Sequence, residues 1–198
     1  MSKIYIARHG ETDWNARAKV QGQTAQVPLN DKGREQALAL LEKCREIGFS
    51  EIHASDLARA KETAEILNDD LGLGITFDKR LREVSFGDWE GRIFHDISKD
   101  EWARFNENPK AFNAETHEEV ADRIKSAFDE IRKKAKGNVV VVFHGGALKV
   151  AIHLDKYGEF KKKEFLKDFL VPIKNAELIK LKGFLGPIKN AGLIELEK

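Results

Sequence analysis

The sequence predicts an α/β fold, a three-layer sandwich in which helices flank a mostly parallel central sheet. Short apolar runs alternate along the chain with longer segments whose apolar residues recur at helical spacing, which is the pattern of a sheet covered by helices. One short run, residues 138–143, contains four successive valines, which is typical of a strand buried on both faces of a parallel sheet. The length of 198 residues favours one domain, residues 1–198, over two.

The first half of the chain alternates predicted strands and helices. Short apolar runs indicate the strands, and apolar residues three or four positions apart indicate the helices. Gly72 and Gly74 follow the second of these helices, as expected of a helix end. In order, the predicted elements are a strand at residues 3–7, a helix at 31–47, a strand at 51–54, a helix at 57–70 and a strand at 75–77.

The clearest helix signal lies in the second half of the chain. Residues 116–119 read Thr-His-Glu-Glu, which is the pattern of a capping box, and the apolar face that follows continues to near Gly137. The valine-rich strand at residues 138–143 should come next. A last predicted helix then covers residues 146–156.

Two further segments lie outside this alternation. After Glu83, aromatic residues occur among many charges, and we expect a small helical cap at about residues 90–115; an ordinary surface helix with an apolar face is the alternative. Two nearly identical segments lie at about residues 172–197 on either side of a glycine-containing turn. They predict a β-hairpin.

The composition excludes several classes of partner. The chain has 34 Lys and Arg against 33 Asp and Glu, a net charge of +1, so no overall field favours nucleic acid or an anionic membrane. No apolar run approaches the roughly 20 residues that span a bilayer, and the N-terminus lacks the apolar stretch of a signal peptide. We therefore expect a cytoplasmic protein. The single cysteine, Cys44, cannot form an internal disulfide and is expected to be buried.

Chemically active side chains follow three of the predicted strands. Arg8-His9-Gly10 closes the first strand, Ser55 follows the second, and His144 follows the valine-rich strand. The carboxyl ends of parallel strands meet at one edge of the sheet, where open α/β sheets bind their ligands. We therefore expect a ligand site at this edge.

The residue types suit phosphoryl chemistry. An imidazole nitrogen is a competent nucleophile near neutral pH, so His9 is the predicted nucleophile. Arg8 and Arg59 can bind phosphoryl oxygens in a bidentate manner, and His144 would add another contact. Taken singly, each residue is more often structural, and paired histidines also bind metals. Since neither histidine has a second ligand at helical or turn spacing, no metal is expected.

Five motifs occur in an order that resembles the histidine phosphatase superfamily, which includes the cofactor-dependent phosphoglycerate mutases. The motifs are residues 8–15 (RHGETDWN), 21–33, 55–64, 81–91 and 144–146. The resemblance covers residues 3 to about 155. It implies a phosphohistidine at His9 with no cofactor, Glu83 as general acid, and Asn15 as a phosphate donor beside Arg8, Arg59 and His144.

Within the family, the resemblance favours phosphatase activity over mutase activity. Residues 84–91 resemble the phosphatase branch, and the mutases usually carry longer chains. The expected function is a phosphomonoesterase that acts on a small phosphorylated metabolite, with α-ribazole phosphate, phosphoserine and broad specificity as options. The alternatives are a cofactor-dependent phosphoglycerate mutase and a catalytically silent phospholigand-binding module. The sequence leaves the oligomeric state open, and a homodimer is one of the options.

Besides a loop at residues 22–28 that is one residue longer than usual, the chain departs from the family pattern at two places. Phe143 stands where the family usually has a small serine, and residues 114–116 read Ala-Glu-Thr where Gly-Glu-Ser is commoner. Neither departure removes a catalytic group. We expect Phe143 to be accommodated in the core.

Overall fold

A computed structural model describes residues 2–168 and 178–181. The strands are β1 (Ile4–Arg8), β2 (Glu51–Ala54), β3 (Ile75–Phe77), β4 (Val139–Phe143) and β5 (Leu178–Leu181). The α-helices are α1 (Asp13–Ala16), α2 (Asp31–Ile47), α3 (Ala58–Leu71), α4 (Lys99–Glu107), α5 (His117–Lys134), α6 (Gly145–Tyr157) and α7 (Lys162–Asp168). Short 3-10 helices occur at Lys79–Leu81, Gly87–Trp89, Phe94–Asp96 and Pro109–Phe112.

The strands form one sheet in the order β3-β2-β4-β1-β5. The pairs β3–β2, β2–β4 and β4–β1 are parallel, and β5 runs antiparallel to β1. The predicted α/β fold with a mostly parallel sheet is therefore confirmed. Of the predicted C-terminal hairpin, residues 178–181 form a strand, and the rest lies outside the described residues.

The core lies on both faces of β4, as the valine run predicts. Val139, Val141 and Phe143 belong to a cluster that includes the apolar faces of α5 and α6. Val140 and Val142 belong to a second cluster with α2 and α3 on the opposite face. The alternation of a β-strand sends successive side chains to opposite faces, so helices cover both sides of the sheet. Phe143 is fully buried in the first cluster.

The segment after Glu83 is largely helical, and aromatic side chains hold it together. Trp89 and Phe105 are both buried and stack with ring centroids 4.2 Å apart. The segment is also joined to the chain that follows α1, because the N–H of Phe94 donates to the carbonyl of Ala18 at 2.8 Å. We call residues 87–112 the cap. The helical cap predicted after Glu83 thus corresponds to α4 and the 3-10 turns around it.

Two further expectations concern the chain as a whole. Cys44 is buried on α2, as predicted, and burial raises the pKa of its thiol to about 12. Among residues 2–168 and 178–181, no helix combines the length and the apolar character needed to cross a membrane. The cytoplasmic location stays a prediction.

Candidate active site

The register of the sheet brings the two histidines together. Arg8, the last residue of β1, lies opposite Phe143, the last residue of β4, so His9 and His144 leave adjacent parallel strands side by side. The N–H of His9 donates to the carbonyl of Phe143 at 3.0 Å. The two imidazole ring centroids are 5.2 Å apart, and both rings are buried. The convergence predicted for the carboxyl edge of the sheet is present.

His9 is held as a neutral imidazole in a defined orientation. Its Nδ1 lies 2.6 Å from the carbonyl oxygen of Gly10. Since a carbonyl only accepts, Nδ1 carries the proton, and the lone pair of the neutral ring belongs to Nε2. Burial holds the pKa of His9 well below its usual range, and the charges of Arg59 and Arg8 add to this. The ring therefore has its nucleophilic form at neutral pH.

His144 is oriented by Ser55, which follows β2. Ser55 Oγ accepts the N–H of Leu57 at 3.3 Å and lies 2.8 Å from Nε2 of His144. We expect the hydroxyl to donate to Nε2, which would place the proton of the neutral imidazole on Nδ1. Nδ1 of His144 is buried with no hydrogen-bond partner. A buried nitrogen of this kind needs a hydrogen-bond partner, which a bound ligand or a water molecule can supply.

Arg59, on the first turn of α3, is fully buried. Its two terminal nitrogens donate to the carbonyls of Gly22, at 2.7 Å, and Thr24, at 3.1 Å, while Nε has no hydrogen-bond partner. Burial lowers the pKa of Arg59 to about 10, against the charges of Glu83 and Glu90. The guanidinium stays charged at neutral pH, so the site contains a buried cation whose Nε–H has no hydrogen-bond partner.

Arg8 supplies the second cation. A Cβ at Gly145 would lie 3.3 Å from its Nε, so the guanidinium packs against the first turn of α6. Burial lowers the pKa of Arg8, and the charge of Glu83 opposes this shift. Two cations beside neutral histidines favour the binding of an anion at this edge of the sheet.

Glu83 lies at the N-terminus of α6. Its Oε2 accepts the N–H of Gly146 at 2.9 Å, and its Oε1 accepts the N–H groups of Ala147 at 2.8 Å and Val84 at 2.9 Å. First-turn amides have no acceptor within their own helix, and the positive end of the helix dipole favours a carboxylate. The same first turn thus touches both Glu83 and Arg8, which brings the predicted acid close to the cations.

The position of Asn15 is set by the short helix α1. The side-chain oxygen of Asn15 accepts the N–H of Thr12 at 3.2 Å, and Thr12 caps the helix. The hydroxyl of Thr12 also lies 3.1 Å from Oε1 of Gln21. The side-chain amide of Asn15 can donate to a phosphoryl oxygen, and that role stays a prediction.

The sequence did not indicate which residues hold Glu83 and the loop at residues 21–24 in place. They are Gln23, Glu90, Glu115 and Arg123, whose hydrogen bonds join loops distant in the sequence. Glu115 and Glu90 both lie in segments that the family motifs include. No feature of the sequence pointed to a structural role for Gln23 or Arg123. Within the described part of the chain, no group of three or more His, Cys, Asp or Glu side chains could hold a metal ion. Independence from metals stays a prediction.

A neutral histidine beside a buried and a partly buried arginine, with a carboxylate close by, is typical of proteins that transfer phosphoryl groups through histidine. The profile of the family described as "Histidine phosphatase superfamily (branch 1)" matches residues 4–181. The chain belongs to this family, as the motifs indicated.

Similar proteins carry both phosphatase and mutase names. The "Probable phosphoglycerate mutase GpmB" of Salmonella paratyphi A is 37% identical over 155 residues, which cover 75% of this chain and 72% of that protein. A mycobacterial glucosyl-3-phosphoglycerate phosphatase has 28% identity and a TM-score of 0.78, with 91% and 90% of the two chains covered. A phosphoglycerate mutase from Bacillus anthracis has 28% identity and a TM-score of 0.73, with 90% and 86% covered.

Proposed function

We propose that this protein is a phosphomonoesterase that acts through a phosphohistidine at His9. The observation that carries the proposal is the pair of unsatisfied buried nitrogens, Nε of Arg59 and Nδ1 of His144, beside a neutral His9. Unsatisfied buried polar atoms cost free energy. A phosphoryl group would satisfy both donors while it presents its phosphorus to His9.

The residues support a two-step reaction. Nε2 of His9 attacks phosphorus, the bond from phosphorus to the ester oxygen breaks, and Glu83, which is protonated in the complex with the ester, gives its proton to the departing alkoxide. Water then attacks the phosphohistidine, Glu83 takes a proton from that water, and the bond between nitrogen and phosphorus breaks to release phosphate. Arg8, Arg59 and His144 stabilise the charge on the equatorial oxygens in both steps.

Water is proposed as the acceptor of the phosphoryl group because residues 84–91 resemble the phosphatase branch of the family. The mycobacterial protein of 28% identity, which is named a phosphatase, supports the same choice. The mutase remains the second candidate because of the name of the 37% identical relative.

The substrate is proposed to be a small phosphorylated metabolite, with α-ribazole phosphate, phosphoserine and broad specificity as the options. The exposed ring of Phe94 in the cap supports a partly apolar alcohol group. Phe94 is 48% exposed and lies 5.5 Å from the ring of Trp102. An aromatic platform of this kind favours contact with an apolar or ring-containing leaving group.

The test is phosphate release from a panel of phosphomonoesters, measured for the purified protein and a His9→Ala variant. We expect release that depends on His9, with an acid-labile phosphoprotein trapped early in the reaction. Interconversion of phosphoglycerates in the presence of 2,3-bisphosphoglycerate, without net phosphate release, would establish the mutase instead. A folded protein with no turnover and no phosphoprotein would indicate a binding module.

A further inference from the structure

The backbone carbonyl of Glu83 is bound by two side chains from distant segments. Nη2 of Arg123, on α5, donates to it at 2.9 Å, and Nε2 of Gln23 donates to it at 3.1 Å. Nη1 of Arg123 also donates to the carbonyls of Arg80, at 2.8 Å, and Arg82, at 2.6 Å. One guanidinium thus fixes three carbonyls of the segment that presents the acid.

Glu115, which lies just before the N-cap of α5, completes this arrangement. Its two carboxylate oxygens each accept a hydrogen bond from Arg123 at 2.9 Å. Its Oε2 also accepts the N–H of Ser85 at 2.9 Å and the side-chain amide of Gln23 at 3.1 Å. The side chains of Arg123 and Glu115 are only 16% and 22% exposed, so water competes weakly with these bonds. We call Gln23, Glu115 and Arg123 the Glu83 brace.

The brace also connects the acid to the cation of the site. Gln23 lies between Gly22 and Thr24, whose carbonyls are the partners of Arg59. Because the side chain of Gln23 reaches the Glu83 carbonyl, the loop bound to Arg59 and the segment that carries Glu83 are joined by one amide. A shift of either segment therefore changes the distance between the acid and the phosphate-binding guanidinium.

We infer that the Glu83 brace consists of positioning residues that set the place of the Glu83 carboxylate for proton transfer to the leaving group. The inference rests on the proposed function. The brace touches only the backbone of Glu83, so its residues are not catalytic. Proton transfer requires hydrogen-bond distance, and a misplacement of about 1 Å can cost about 100-fold in rate. Loss of the brace should therefore weaken the acid step specifically.

The test compares esters that need an acid with one that does not. The variants are Glu115→Gln, Gln23→Met and Arg123→Met, and the matched control is Arg132→Met, which removes another partly buried arginine of α5 that faces Asp155 instead. kcat on an alkyl phosphate should fall at least about tenfold more than kcat on p-nitrophenyl phosphate, whose alcohol leaves without a proton. The control should leave the ratio of the two rates unchanged.

The Glu83→Gln background separates positioning from general damage. In that background a brace substitution should leave the ratio of alkyl to p-nitrophenyl rates unchanged, because the acid it positions is gone. If brace substitutions slow both esters equally in the parent protein, or lower the ratio further in the Glu83→Gln background, the inference is wrong.

Hydrogen exchange tests the brace without any turnover. The amides of Gly146 and Ala147 depend on the Glu83 carboxylate for protection, so they should exchange at least about tenfold faster in Arg123→Met than in Arg132→Met. Equal exchange would overturn the inference. If the parent protein releases no phosphate in a His9-dependent way, the proposed function fails, and the exchange rates still decide whether the brace positions Glu83.

Discussion

Ser55 Oγ lies 2.8 Å from Nε2 of His144, and both residues are fully buried. We expect this hydroxyl to donate to Nε2 and so to favour the tautomer with the proton on Nδ1. Its removal would free the ring to adopt the other tautomer, which cannot donate to a phosphoryl oxygen from Nδ1. We expect Ser55→Ala to lower kcat/KM about tenfold, which corresponds to about 1.4 kcal/mol, the size of one buried hydrogen bond. Nitrogen NMR of His144 should show the change of tautomer.

A surface serine serves as the control. Ser50 donates from Oγ to the carbonyl of Asn138 at the other end of the sheet, so Ser50→Ala should leave kcat/KM unchanged. A Ser55→Ala variant with full activity would show that the tautomer of His144 does not matter for the reaction.

The two buried histidines predict a loss of stability in acid. Burial lowers the pKa of His9 and His144 well below 6.5, and the charge of Arg59 adds to both shifts. The unfolded chain therefore binds protons near pH 6.5 that the native protein binds only at lower pH, so the free energy of unfolding falls as pH drops below about 6.5. Each histidine contributes up to about 1.4 kcal/mol per pH unit.

Urea unfolding between about pH 7.5 and about pH 5.5 measures this slope. The double variant His9→Gln/His144→Gln should show a smaller decrease in the free energy of unfolding than the parent protein over that range. His117, whose pKa burial also lowers, is present in both proteins and cancels in the comparison. Identical slopes would mean that neither histidine is buried in its neutral form.

Local signals in the sequence were sufficient for the elements that carry the site. Four valines predicted β4, and helices do cover both of its faces. The capping box at Thr116 is present, because its hydroxyl accepts the N–H of Glu119 at 3.2 Å. α5 ends at Lys134, three residues before the predicted end near Gly137. The chain extends early because Val139 must already pair with Lys3.

The parts that could not be predicted depend on contacts between distant segments. Arg123 is 40 residues from Glu83 in the sequence, and an arginine on an amphipathic helix is usually a solvated charge. Gln23 lies in a polar loop, where an amide has no pattern that distinguishes a structural role. Their roles follow from the tertiary fold. The order of the motifs predicts the strands and the candidate site residues, but it does not predict these side-chain contacts.

Phe94 is expected to contact the leaving group. Its N–H donates to the carbonyl of Ala18, and the N–H of Ala18 in turn donates to the carbonyl of Asn15 at 3.0 Å, so the backbone of the cap at Phe94 is joined to the helix that carries the predicted phosphate donor. We expect Phe94→Ala to raise KM about five- to tenfold for esters with a ring-containing alcohol, since an aromatic pair is worth about 0.5–1.5 kcal/mol. kcat should change little.

Phe77 is the matched control for this prediction. It is 41% exposed, similar to Phe94, and lies on the edge strand β3. Phe77→Ala should leave KM unchanged for every ester. If Phe94→Ala behaves in the same way, the cap does not contact the alcohol group.

Gly146 leaves the space that the Glu83 carboxylate occupies. A Cβ at this position would lie 2.6 Å from Oε1 of Glu83 and 3.1 Å from Cγ2 of Val84, closer than atoms in van der Waals contact. Gly146→Ala should therefore displace the carboxylate and lower kcat on alkyl phosphates by about tenfold or more, with a smaller effect on p-nitrophenyl phosphate. Since alanine is the better helix former by about 1 kcal/mol, the free energy of unfolding should change little.

Gly74→Ala separates this steric effect from the general consequences of replacing a glycine. A Cβ at Gly74 would have nothing within 4 Å, so both esters should react at the parent rate. Steady-state kinetics on the two esters, with urea unfolding of each variant, gives the comparison. A Gly146→Ala variant that reacts with alkyl phosphates as fast as the parent would mean that the observed position of the Glu83 carboxylate is not required for proton transfer, because the added methyl group cannot coexist with it.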